Sequence, residues 1–136
     1  MYASVADMIE RFGEDEIVML TDQAHTGEVD TAVAERALED AAAEIDGYLA
    51  SRYRLPVTDT PRLLSLLATD IARYRLQQPV ATEQGRQRYE DAVSRLKGIA
   101  RGDINLPLET PPPASAEPVA VRGRRRVFDD DTLRGY

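Results

Sequence analysis

Apolar residues recur at steps of three and four through the chain as far as Ile99 and Ala100, and then the pattern stops. That spacing lines up one face of an α-helix, which repeats about every 3.6 residues. The longest run is Leu38, Ala41, Ala42, Ile45, Leu49 and Arg52/Tyr53, inside a segment predicted to be helical from Thr31 to Arg52 with Asp30 as its N-cap. Its alanines (Ala34, Ala37, Ala41, Ala42) permit another helix to approach closely. Leu55-Pro56 bounds this segment, because a residue preceding proline avoids the α region.

Thr60-Pro61 predicts the next helix start, with threonine as cap and proline in the first turn. Leu63, Leu64, Leu66, Leu67, Ile71 and Tyr74 make that helix apolar around more than half its circumference, so it should be the central one, and Gln78-Pro79 ends it. A last helix is predicted from Glu83 to Arg101 after Thr82, with Tyr89, Ala92/Val93, Leu96, Ile99 and Ala100 facing inward and Gly102 as its stop. At the other end, Ser4 and Asp7 resemble a capping box and open a short helix from Val5 to Phe12, closed by Gly13. A second short helix follows from Glu14 to Leu20, with its acids in the first turn where the helix dipole favours them. No segment alternates with a period of two. The expected fold is therefore an all-α bundle of four to five helices over residues 1–106, followed by an extended, Pro-rich C-terminal arm over residues 107–136.

The arm is a different polymer from the body. Five of the chain's 8 prolines lie in it (Pro107, Pro111, Pro112, Pro113 and Pro118), and proline continues neither a helix nor a central strand. It closes with Arg122, Arg124, Arg125 and Arg126, then Val127-Phe128, three aspartates, and Leu133-Arg134-Gly135-Tyr136. Such a spacer with a charged, aromatic tip reads as a segment that reaches a partner. It has five arginines against five acids, so the net charge of −7 belongs to the body. An acidic body repels phosphates and argues against a folded nucleic-acid reader. The arm's arginine run is a candidate phosphate contact, set against the acids Asp129, Asp130 and Asp131 that follow it.

Candidate chemistry is sparse. With no cysteine, thiolate catalysis, disulfides and cysteine-based metal sites are excluded. No apolar run is long enough to span a membrane, no targeting signal is visible, and the chain reads as soluble. The single histidine, His25, lies in a polar loop near Asp22 and reads as solvated, and the acids Glu14, Asp15 and Glu16 lack calcium-loop spacing. No phosphate-cradling glycine loop or nucleophile elbow occurs, and no cofactor is implied. Asp46, Asp70, Arg73 and Arg75 fall within otherwise apolar helices. With Arg52, the first three are candidate inter-helix or inter-subunit ion pairs.

Several stretches carry a family resemblance: the opening Met1-Tyr-Ala-Ser-Val-Ala-Asp-Met-Ile-Glu-Arg-Phe-Gly13, the run Ala43-Glu-Ile-Asp-Gly-Tyr-Leu-Ala-Ser-Arg-Tyr-Arg-Leu-Pro56, Asp70-Ile-Ala-Arg-Tyr-Arg-Leu76, Arg88-Tyr89, and the ending Val127-Phe-Asp-Asp-Asp-Thr-Leu-Arg-Gly-Tyr136. Together they resemble the Mu-like phage head–tail adaptor (connector) family. The resemblance implies a non-enzymatic structural protein of the virion, made in the host cytoplasm. It would form a ring, expected to be a dodecamer, between the capsid portal and the tail or stopper protein, touching DNA only as it passes through the channel. The arm, with Arg122 to Phe128, Leu133, Arg134 and Tyr136, would contact the portal or neighbouring subunits. The residues alone leave an alternative class open: a small regulatory binding module, either antitoxin-like or a helix-turn-helix DNA binder using the basic residues of the last helix.

Overall fold

The computed structural model describes residues 1–110. Five helices form, α1 (Val5–Phe12), α2 (Glu14–Thr21), α3 (Thr31–Leu49), α4 (Arg62–Gln77) and α5 (Glu83–Arg101), with no strand among the described residues, so the all-α class holds. The predicted capping box is present: Asp7 N–H donates to Ser4 Oγ (3.1 Å) and Ser4 N–H donates to Asp7 Oδ2 (2.9 Å). Gly13, at φ 93°, ends α1 and caps α2, so the two short helices meet at a corner of one residue. Thr82 caps α5 as expected, and Gly102 closes it in the left-handed region.

Three boundaries differ from the sequence reading. α2 continues one residue further, to Thr21, whose hydroxyl donates back to the Ile17 carbonyl and accepts from Asp30 N–H. α3 ends at Leu49 rather than Arg52. The chain turns there, with the amides of Arg52 and Tyr53 both donating to the Leu49 carbonyl, and this frees the Arg52 side chain to reach α5. Pro61, not Thr60, is the N-cap of α4: at ψ 147° it is still extended, and its carbonyl accepts from Leu64 and Ser65.

α4 is the central element. Leu64, Leu67, Ala68, Ile71 and Ala72 are buried in it, packed between α3 and α5, with α1 and α2 against its remaining faces. α3 presents Ala34, Ala37, Leu38, Ala41, Ile45 and Leu49 to this core, and α5 presents Ala92, Leu96 and Ile99. Truncating Leu64 or Ile71 to alanine here costs about 2–5 kcal/mol, because the cavity cannot fully collapse. Close approach also explains Gly85, where a Cβ would collide with the Gln77 side chain.

Candidate functional site

The root of the arm is held by three consecutive residues. Arg52 donates through Nη1 to the carbonyls of Ile99 (2.8 Å) and Ile104 (3.4 Å) and through Nη2 to Asn105 Oδ1 (2.9 Å). The Tyr53 hydroxyl accepts from Leu106 N–H (2.9 Å). Arg54 N–H donates to the Glu109 carbonyl (2.9 Å), and the two side chains are 3.6 Å apart. Tyr53 and Leu106 are both buried, so this clamp is continuous with the core. It fastens the stretch from Ile104 to Glu109 to the turn that follows α3, at the end of the bundle where α3 and α5 terminate. A buried tyrosine with its hydroxyl bonded, beside an arginine whose fork matches several acceptors, is a rigid arrangement.

Charged braces tie the two short helices to α4. Arg11 of α1 donates to Asp70 Oδ1 (2.8 Å), Thr69 Oγ1 (2.8 Å) and the Leu66 carbonyl (3.0 Å). Arg88 of α5 approaches the same Asp70 oxygen at 3.9 Å. Burial of the Asp70 carboxyl raises its pKa, and the attraction of Arg11, Arg88 and Arg73 opposes that without cancelling it. Arg73, only 8% exposed, grips Glu16 of α2 with two bonds, Nε to Oε2 (2.5 Å) and Nη2 to Oε1 (3.1 Å), and lies over the Phe12 ring at 4.6 Å. A third brace joins α3, α4 and α5: Glu44 accepts from Arg75 (3.0 Å) and from the Tyr89 hydroxyl (2.9 Å), and Tyr89 stacks on Tyr74 with ring centroids 4.3 Å apart. Burial and the bond to Glu44 push the Tyr89 hydroxyl up to about 12.

Among the candidate ion pairs, Asp70 and Arg73 therefore face opposite charges across helices. Asp46 and Arg52 do not pair with an opposite charge among the described residues, and this corrects the inter-helix expectation for them. Asp46 accepts from the Tyr2 hydroxyl, whose pKa burial and that bond both raise. Arg52 is drawn to carbonyl and amide oxygens because the end of α5 leaves those acceptors within reach. The sequence does not mark Arg11, Glu44 or Tyr2, and it marks Glu16 only as a helix-start acid. For each of them it is a partner on another element, distant in sequence, that gives it a role.

The remaining candidates are quiet. Asp22 accepts from the backbone of Thr26 (2.8 Å) and Gly27 (2.7 Å), and those bonds lower its pKa. It shapes the loop, whose His25 takes a positive φ of 58°. On α5, Arg86 is bound to Glu83 and Glu90, Arg88 faces Asp70, and Arg101 pairs with Asp103 at 3.1 Å. Among the described residues, only Arg95 and Lys97 of that helix's cations stand outside these pairs. A recognition helix needs free cations along one face, and this arrangement disfavours that role. No described helix is long and apolar enough to cross a membrane. The arm candidates Arg122, Arg124, Arg125, Arg126, Val127, Phe128, Leu133, Arg134 and Tyr136 lie outside the described residues.

A hollow of about 340 Å³ opens where the ends of α2 and α4 meet the start of α5. Met19, Leu20, Leu76 and Val80 line it together with the Glu16–Arg73 pair. Met19 is 76% exposed and Val80 83%, although both are large and apolar.

Comparison with known proteins places these features in a lineage. The family model described as "Bacteriophage Mu, Gp36" matches residues 2–123. The chain is 37% identical over 108 residues to the Mu-like prophage FluMu protein gp36 of Haemophilus influenzae, covering 79% of this chain and 77% of that protein. It is 38% identical over 117 residues to Gene product J of Escherichia phage Mu, covering 85% and 83%. The match takes in all five helices, the arm root and the first part of the arm: the chain belongs to the bacteriophage Mu Gp36 family.

Proposed function

We propose that this protein is a structural component of the phage virion, one subunit of an adaptor ring that joins the capsid portal to the tail or stopper protein. The observation that carries this reading is the arm root. A braced helical body releases its C-terminal arm from one fixed point, held by Arg52, Tyr53 and Arg54. That division of labour suits a subunit that must hold its own shape while gripping a neighbour. Ring subunits use a head-to-tail interface that closes by rotation, and twelve copies would match the portal's expected symmetry. The body's net charge of −7 favours a channel through which DNA slides without being held. The arm contacts the portal or adjacent copies through Arg122 to Phe128 and through Leu133, Arg134 and Tyr136. The role is architectural, without catalysis or cofactor, at the head–tail junction of a particle assembled in the host cytoplasm.

Deletion of residues 122–136 is the direct test. The truncated body is expected to give an unchanged helical circular dichroism spectrum and to fail to join portals to tails. Complete virions assembled from the truncated protein would rule out the arm's part in this reading.

A further inference from the structure

Of the large apolar residues that the described surface leaves exposed, two of three, Met19 and Val80, line a single hollow. Isolated exposed apolar residues need no explanation, but these two converge on one hollow with Leu20 and Leu76 and make it a place where an apolar side chain could seat. Methionine suits such a surface because its unbranched chain adapts to what it meets. The hollow's volume of about 340 Å³ is ample for one aromatic ring, given that a cavity of roughly 150 Å³ accepts benzene. Asp15 stands one helical turn before Met19 on the same face of α2 and, like Glu14, makes no salt bridge among the described residues. The surface is thus a mixed seat, four apolar side chains beside the Glu16–Arg73 pair, Gln77 and Thr82, with Asp15 about 6 Å before Met19 along the helix.

Two stretches near the chain's end place a basic residue two before an aromatic one, Arg126 with Phe128 and Arg134 with Tyr136, and the first has the stronger charge and an apolar neighbour. Arg124, Arg125 and Arg126 run directly into Val127 and Phe128. In an extended segment, residues two apart point to the same side with a spacing of about 7 Å, so Arg126 and Phe128 match Asp15 and Met19 in charge, polarity and separation. Length also fits. The arm is rooted at the C-terminal end of α5 and the hollow lies at its N-terminal end, about 28 Å away for a helix of that length. The chain between Thr110 and Val127 spans up to about 56 Å when extended, which leaves reach to spare for the same hollow on an adjacent body.

We propose that Val127 and Phe128 of a neighbouring copy's arm seat in the hollow formed by Met19, Leu20, Leu76 and Val80, with Arg124 to Arg126 over the acidic first turn of α2. The choice of a neighbouring copy as donor rests on the ring reading above. The contact links each body to the next and gives the arginine run a protein partner in place of a nucleic acid.

The absence of cysteine makes a clean test possible. M19C and F128C variants of the full chain are purified separately, mixed with and without portal, and oxidised, beside a chain carrying both substitutions. A disulfide between the two single variants is expected, with the yield falling at least several-fold when D15R is added to the M19C chain. No disulfide in the mixture overturns the proposal. So does a disulfide that forms only within the doubly substituted chain, which would make the arm's seat its own body. The ring reading is scored separately by light scattering on portal mixtures: capture in stoichiometric rings without the disulfide leaves the ring standing and removes only the seat. A disulfide formed without any portal capture supports the seat between copies and removes the ring reading.

Discussion

Arg73 holds Glu16 with two parallel hydrogen bonds and covers the Phe12 ring with the same guanidinium, so one side chain of α4 fastens both short helices. Its side chain is 10% exposed and that of Glu16 is 24% exposed. Removing one partner of a mostly buried pair strands the other charge. R73A is therefore expected to cost about 2–4 kcal/mol, toward the lower part of the range for buried pairs because Glu16 keeps some water. R73K keeps the charge but loses the fork, and about half that cost is expected. Urea denaturation of both variants checks this. A loss below about 0.5 kcal/mol for R73A would mean the pair behaves as a surface contact.

Asp70 predicts an unusual pH dependence. Burial raises its folded pKa above the ordinary carboxylate value, with the arginines only partly offsetting this. The folded protein therefore takes up the Asp70 proton at a higher pH than the unfolded chain does. In the window between the two pKa values, this group adds stability as the pH falls. Wild type minus D70N stability is expected to become more favourable to wild type between pH 7 and pH 4. Denaturant midpoints at the two pH values measure it, and a difference that shrinks on acidification contradicts the assignment.

The arm root makes a local prediction. R52A removes the donors that hold Ile99, Ile104 and Asn105, so the amides of Leu106 and Arg54 should exchange with solvent faster while those of α4 stay protected. Y53F leaves the buried Leu106 N–H without its acceptor, at a cost of about 1–3 kcal/mol. Hydrogen exchange read by mass spectrometry distinguishes this local opening from global unfolding.

Two glycines should respond with opposite signs. Gly102 sits at φ +92°, where a side chain is strained, and G102A is expected to destabilise by about 1 kcal/mol. Gly47 lies within α3 with nothing within 4 Å of a new Cβ, and G47A should stabilise by about 0.5–1 kcal/mol through helix propensity. Thermal melts of the two variants check the pair.

Local rules make the helices legible in the sequence. Ser4, Asp30 and Thr82 cap as their positions suggest, and Gly102 stops α5, because capping depends on residues a few positions apart. The apolar run of α4 marks the central helix for the same reason. The braces are only half legible. Asp70 and Arg73 stand out as charges in an apolar helix, but nothing near Arg11 or Glu16 in sequence announces a partner more than fifty residues away. Arg52 shows the limit most clearly. Its helical spacing points to a place inside α3, whereas the open carbonyls at the end of α5 draw it out. The hollow at Met19 and Val80 is not legible at all, since neither residue belongs to an apolar periodicity and only the meeting of three helix ends brings them together.

The order of bonds at the arm root has a mechanical consequence. Counting inward from the arm, tension meets Arg54 with Glu109 first, then Tyr53 with Leu106, then Arg52 with Asn105 and Ile104. Under a peeling load such bonds are loaded one at a time from the outside in, ahead of the packing between the helices behind them. A pull on the chain beyond Thr110 would therefore open the root by a few residues before it unpacked the helices.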